Sequence, residues 1–208
     1  MLLVERTVRD FVDVMASVEP APGGGSASAL CGAQGAGLIA MVCALTEGRK
    51  KYAEYEETVK AVRARAEEIK AQFVDVIDRD TEAFNAVSAV FTMPKDTDEE
   101  KAARKAAMQA ALKGCTLTPY EMMELSCEAL ELAHSIVGKF NATAASDLGC
   151  AALNLRSAIQ GAWMNVRINI AGISDEAFVT EYRSKGEALL EKALPLADAV
   201  YSELLATL

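Results

Sequence analysis

One histidine in 208 residues, five prolines and an aromatic share of only 6% mark what this chain has little of. With His134 as the sole imidazole, a histidine-based metal centre is not supplied, and no metal is expected. His134 falls among Cys127, Leu130 and Val137 at helical spacing, which reads as a core residue rather than a base. The five cysteines, Cys31, Cys43, Cys115, Cys127 and Cys150, are odd in number, form no C-x-x-C pair and lie in apolar contexts. They are read as reduced packing residues of a cytosolic protein. The opening stretch MLLVERTVRD brings charge in by Glu5 and holds no apolar run near the ~20 residues of a bilayer span. That argues against a signal peptide or membrane anchor and predicts a soluble, cytoplasmic chain. Basic side chains are also scarce, 21 against 30 acidic ones, for a formal net charge of −9. Nucleic acid and anionic membranes are thereby excluded as main partners, and an anionic small substrate would need a local basic patch.

Strand patterning is missing as well, because apolar residues recur at helical rather than alternating spacing along most of the chain. The expectation is an all-α, single-domain bundle over residues 1–208. Helices are predicted over about Val8–Val18, Gly25–Leu45, Tyr52–Phe91, from Thr97 onward, from Thr118 onward, Ser146–Ala171 and from Ser174 to the C-terminus. Thr97 with Glu100 forms a capping box, and Thr118-Pro119-Tyr120-Glu121 reads as a second helix start with proline at its first position. Pro195 is expected to kink the last helix. Between Tyr52 and Phe91, Val59, Ala66, Phe73, Asp80 and Val87 interleave with Val62, Ile69, Val76, Ala83 and Val90 as one apolar stripe. One helix of roughly 40 residues would be about 60 Å long, more than a compact globule of this size spans. The excess predicts an elongated bundle with one long helix, paired as a homodimer.

Polar residues on otherwise small or apolar faces carry the functional signal. Asp80 is the only charge on its stripe; such a carboxylate must be hydrogen-bonded or shift its pKa, the condition of a general acid or base, although a helix-capping role explains it too. Asp147, Ala151, Asn154, Ala158, Gly161, Asn165 and Asn169 fall within about 40° of one line on a helix turning 100° per residue. Close packing accounts for the small residues; the three asparagines and the aspartate suggest either a polar ligand groove or an internal hydrogen-bond network. The stretch PAPGGGSASALCG places Gly23, Gly24, Gly25 and Ser26 before a helix of Gly, Ala and Ser. No phosphate-binding or dinucleotide motif is present there, but glycines at a helix N-terminus let backbone N–H groups approach an anion or a flat ring. Arg49, Lys50 and Lys51 form the basic patch that an acidic protein would offer to carboxylates.

Five segments together carry a resemblance: Pro22-Gly23-Gly24-Gly25-Ser26, Thr46-Glu47-Gly48-Arg49-Lys50-Lys51-Tyr52, Asp80-Thr81-Glu82-Ala83-Phe84, Ser146-Asp147-Leu148-Gly149-Cys150-Ala151-Ala152 and Asn165-Val166-Arg167-Ile168-Asn169. In order and spacing the chain resembles the cyclodeaminase/cyclohydrolase family of folate enzymes, and departs from it in reading Phe140-Asn141-Ala142-Thr143 before Ser146. The resemblance implies an all-helical homodimer that acts on a tetrahydrofolate derivative without a prosthetic group. It implies hydrolysis of 5,10-methenyl-tetrahydrofolate to 10-formyl-tetrahydrofolate, the branch that separate chains of this length resemble, or else cyclisation of 5-formimino-tetrahydrofolate with release of ammonia. Under it, Asp80 or Asp147 is the base, with Lys51 or the other carboxylate handling the second proton. Asn154, Asn165 and Asn169 become pterin or amide contacts, Gly23 to Ser26 and Ser146 substrate contacts, and Arg49 with Lys50 the glutamate-tail contacts. Both aspartates are expected in one cleft beside the glycine turn. A helical dimer that binds folate without turning it over, or serves only as a scaffold, is the remaining reading.

Overall fold

A computed structural model describes residues 2–208. Six α-helices follow one another: α1 (Val8–Met15), α2 (Gly24–Ala44), α3 (Glu56–Phe91), α4 (Asp98–Ser135), α5 (Ala145–Ile170) and α6 (Glu176–Leu205), with short 3₁₀ turns at Leu3–Glu5, Lys50–Tyr55 and Ala142–Ala144. No strand occurs among the described residues. The expected single long helix is corrected to two, α3 with 36 residues and α4 with 38, packed along each other. Ion pairs zip that seam, Arg79 to Glu121 and Arg65 to Glu128. The first helix stops at Met15 rather than Val18, and a 3₁₀ turn kinked at Tyr52 replaces the predicted start of α3.

The predicted helix start at Thr118 does not occur, and the reason is local. Pro119 lies inside α4 and cannot donate to the carbonyl of Cys115, one turn earlier. That carbonyl is taken instead by the side-chain amide of Asn169 on α5, at 2.6 Å. A tertiary hydrogen bond thus replaces the one proline removes, and the helix continues. α6 likewise runs on through Pro195, and its cap is Asp175 rather than Ser174, accepting from the N–H of Phe178 at 3.1 Å.

α2 is the hub, pressed between α3 and α5. It is 21 residues long and holds an 18-residue window with a mean hydropathy of 1.6, so by length and composition it could cross a membrane, an apolar run that lies beyond the opening stretch read above. More than half of it is buried within the bundle. The small residues explain its place: a Cβ on Gly32 would lie 2.3 Å from the ring of Phe73, and one on Gly35 would lie 2.6 Å from Leu155. Only bare backbone lets those two large side chains close on the helix. Ile39 of α2 and, around it, Phe73, Ile69, Leu155 and Ile159 are fully buried.

Two side chains fall elsewhere than expected. His134 is exposed on α4, its Nε2 4.0 Å from a Glu203 carboxylate, not in the core. Of the cysteines, Cys43, Cys115 and Cys127 are buried, Cys31 is half-buried and Cys150 is exposed; all five are free thiols.

Candidate functional site

The glycine turn opens α2, and its cap comes from another helix. Gly23 is the N-cap residue and has no side chain to offer the first-turn N–H groups. Asp80 on α3 supplies the missing acceptor, taking a hydrogen bond from Ser26 Oγ at 3.0 Å and another from the Ser26 backbone N–H. The same hydroxyl lies 3.1 Å from the carbonyl oxygen of Ile77 and 3.4 Å from Thr81 Oγ1, tying α2 to α3. Gly25 is where the carboxylate enters: a Cβ there would sit 2.1 Å from Asp80 Oδ1 and within 2.5 Å of the rest of the carboxyl group. That close approach answers why glycine stands in this turn. At Gly24 and Gly23 the nearest atoms are 3.6 and 4.0 Å from the corresponding Cβ, and no such constraint operates.

Asp80 is largely enclosed, and burial raises its pKa above the ordinary carboxylate value, while the two Ser26 donors pull it back. Cys115 on α4 stands close enough to feel it: burial first, then the Asp80 charge, push this thiol up to about 11. Asn165 lies against Gly24, and Asn169 reaches the Cys115 carbonyl. One end of the bundle therefore gathers Gly24, Gly25, Ser26, Asp80, Asn165 and Asn169. The asparagine amides are only partly committed: Asn165 donates to Gly161 O and Asn154 to Cys150 O of their own helix, at 2.9 and 3.0 Å. Their amide oxygens accept nothing among the described residues.

A second polar group gathers at the opposite end. Here, just past the end of α2, Thr46 Oγ1 donates to Val42 O and accepts from the N–H of Asn141, at 2.7 and 2.9 Å. The buried Tyr52 takes the N–H of Ala142 at 3.1 Å, so the turn that carries Arg49, Lys50 and Lys51 is stitched to the loop before α5. That N–H first of all, then Lys51 and Arg49 beside it, lower the Tyr52 pKa against the opposing effect of burial. Lys51 Nζ stands 5.3 Å from the Tyr52 ring centroid. A recess of about 550 Å³ opens here, lined by Lys51, Tyr52, Phe140, Ala142, Ala145 and Thr207. Ser146 and Asp147 follow in the first turn of α5. The sequence marks Thr46 and Tyr52 only as members of the motif around Lys51, and Asn141 only as part of the departing segment before Ser146.

The two aspartates do not share a cleft within one chain. α2 and α5 run antiparallel, Gly24 against Asn165 and Gly35 against Leu155. Asp147 and Asn165 are five turns apart on α5, about 27 Å. Asp147, Ser146, Lys51, Lys50 and Arg49 therefore stand at one end of α2, with Asp80 and the glycine turn at the other; Asn154 lies between. No group of three or more His, Cys, Asp or Glu side chains able to hold a metal ion occurs among the described residues.

Fold and site together define a class: an all-helical bundle built on a Gly-, Ala- and Ser-rich central helix, with polar side chains collected at both of that helix's ends. The chain belongs to the formiminotransferase-cyclodeaminase family, whose sequence profile matches residues 7–188. Over 195 residues it is 41% identical to a methenyltetrahydrofolate cyclohydrolase of Methylorubrum extorquens, covering 94% of each chain. It is 31% identical over 202 residues to the formimidoyltransferase-cyclodeaminase of Sus scrofa, covering 97% of this chain and 37% of that longer one. The crystal structure of a formiminotetrahydrofolate cyclodeaminase from Thermotoga maritima superposes with a TM-score of 0.87 at 26% identity over 98% of both chains.

Proposed function

We propose that this protein is a methenyltetrahydrofolate cyclohydrolase, acting in the cytoplasm as a homodimer without a prosthetic group. One observation carries the reading: the 41% identity to a protein of that name runs end to end, over 94% of both chains. The chemistry suits the Asp80 end. The substrate's methenyl carbon is part of a cation shared between N5 and N10, and a carboxylate beside it both stabilises that charge and accepts a proton from attacking water. Hydroxide is thus delivered to the carbon and one proton to Asp80. The adduct then loses its O–H proton as the formyl C=O forms, and N5 takes up a proton as its bond to carbon breaks. Asn165 and Asn169 suit the amide edge of a pterin, and the cations Arg49 and Lys50 suit a glutamate tail.

A homodimer would bring the two polar ends together. Met41 on α2, Leu45 just past it, and Leu153, Met164 and Ile168 on α5 are exposed apolar side chains spread along the length between those ends, Met164 and Ile168 being more than 70% exposed. A second copy packed antiparallel on them would bring its Lys51 and Asp147 beside Asp80 of the first. The name of the Thermotoga structure, at a TM-score of 0.87, favours a second reading, closure of 5-formimino-tetrahydrofolate with loss of ammonia.

Purified protein mixed with 5,10-methenyl-tetrahydrofolate tests the assignment. Loss of the methenyl chromophore faster than in buffer supports the cyclohydrolase, appearance of that chromophore from the 5-formimino compound supports the cyclodeaminase, and neither removes both. Asp80→Asn and Lys51→Met, each inactive alone, should recover activity toward about one quarter of wild type on subunit exchange if each site draws on two chains. No recovery refutes the shared site.

A further inference from the structure

A second, half-open pocket lies under the N-terminal segment, on the flank of the Asp80 end. It measures about 250 Å³ and its walls are apolar: Leu3 and Phe11 from the segment and α1, Leu30 from α2, Val74 and Ile77 from α3. Two polar side chains, Arg6 and Gln34, line it as well. Arg6 is the anomaly. Its Nε–H is buried with no hydrogen-bond partner, and its guanidinium pairs with no carboxylate among the described residues, in a chain with a net charge of −9.

The local acids are already engaged. Asp78 accepts from the N–H groups of Leu3 and Val4, at 2.6 and 3.5 Å. Glu5 accepts from the N–H of Leu2, and Asp10 from the hydroxyl of Thr7. A guanidinium offers five donors and leaving one buried and unmet is costly, so the pattern is that of a cation kept for an anion from outside. The walls supply the rest of the description. Apolar surface surrounds the charge, and the volume falls below the ~300–1,000 Å³ of sites for drug-sized ligands.

We propose that this cavity binds a small carboxylate with an apolar body, the carboxylate paired to Arg6 and assisted by the Gln34 amide, with the body against Phe11, Leu30 and Val74. The carboxylate could belong to a free aliphatic or aryl acid, or to the tail of a larger ligand that enters from the catalytic side. The site also touches the α2/α3 seam: Ile77 lines it, and the carbonyl of Ile77 is within hydrogen-bond distance of the Ser26 hydroxyl that meets Asp80.

Titration calorimetry on the full chain with octanoate, octylamine and 4-aminobenzoylglutamate tests this, using wild type, Arg6→Gln and the cavity-filling Val74→Trp. The expected result is saturable octanoate binding at one site per chain, weakened at least tenfold in both variants, with octylamine silent. If KM for the folate substrate is unchanged in both variants, the ligand is a free acid. If 4-aminobenzoylglutamate displaces octanoate and both variants raise KM, the same site holds a substrate tail. Circular dichroism establishes that the variants are folded. Octanoate binding undiminished in folded Arg6→Gln, octylamine binding as well as octanoate, or no saturable binding of either carboxylate overturns the proposal. The calorimetric arms stand independently of the proposed cyclohydrolase activity; only the KM comparison rests on it.

Discussion

Adjacent glycines in the same helical turn should respond oppositely to one methyl group. At Gly25 the added Cβ would fall 2.1 Å from Asp80 Oδ1 and 2.5 Å from its Cγ, closer than any real contact, whereas at Gly24 the nearest atom is the Asn165 amide nitrogen at 3.6 Å, ordinary contact. Gly24→Ala should therefore stabilise by up to about 0.5–1 kcal/mol, the gain of alanine over glycine in a helix. Gly25→Ala gains the same and loses more: overpacking costs about 1–3 kcal/mol, and displacing the carboxylate weakens a charged hydrogen bond worth about 1.5–3 kcal/mol. The net expectation is destabilisation of roughly 1–3 kcal/mol, or about 2–12 °C in Tm at 2–4 °C per kcal/mol. Turnover should fall further than stability, by about a hundredfold, because a base displaced by about 1 Å loses its line to the attacked carbon. Thermal unfolding of both variants, with loss of methenyl absorbance at a temperature where both are folded, is the assay. Equal stability and equal turnover in the two variants would refute the close approach of Asp80 to the α2 N-terminus, and with it the explanation of the glycine turn.

Three further outcomes follow from the same contacts. Ser26→Ala removes a donor that favours ionised Asp80, so its already raised pKa should rise again; a base must be unprotonated, so the acid limb of kcat/KM moves to higher pH, and an unmoved limb means that Asp80 is not the base. Tyr52→Phe leaves the Ala142 N–H without its acceptor and should cost about 1 kcal/mol in urea unfolding, with faster amide exchange at Ala142; unchanged exchange would remove Tyr52 as the strut of the cationic turn. Gly186→Ala should destabilise by about 1–3 kcal/mol, because its Cβ would lie 2.2 Å from the Trp163 ring, and wild-type Tm would show that α5 and α6 can part there.

Much of the fold is legible in residue order. The capping box of Thr97 and Glu100 is present, and the stripe from Val59 to Val76 is the buried face of α3. Pro119 is the instructive miss. By local rules a proline preceded by threonine starts a helix, and nothing nearby in sequence says that Asn169, fifty residues later, will take the carbonyl the proline abandons. His134 misled for a related reason: helical spacing among Cys127, Leu130 and Val137 tells which side chains are neighbours but not how far the buried sector extends, and His134 lies just past its edge.

The candidate site divides along the same line. Composition and 3.6-residue periodicity are local properties, so the all-helical class and the burden of a carboxylate on an apolar stripe could be read from the chain itself. Which groups meet could not. Asp80 reaches the glycine turn because α2 and α3 pack closely enough for a side chain to cap a helix it does not belong to, and Asp147 stands about 27 Å along α5 from that end because α5 runs antiparallel to α2. Those distances are set by helix length and packing direction, which exist only once the helices are assembled.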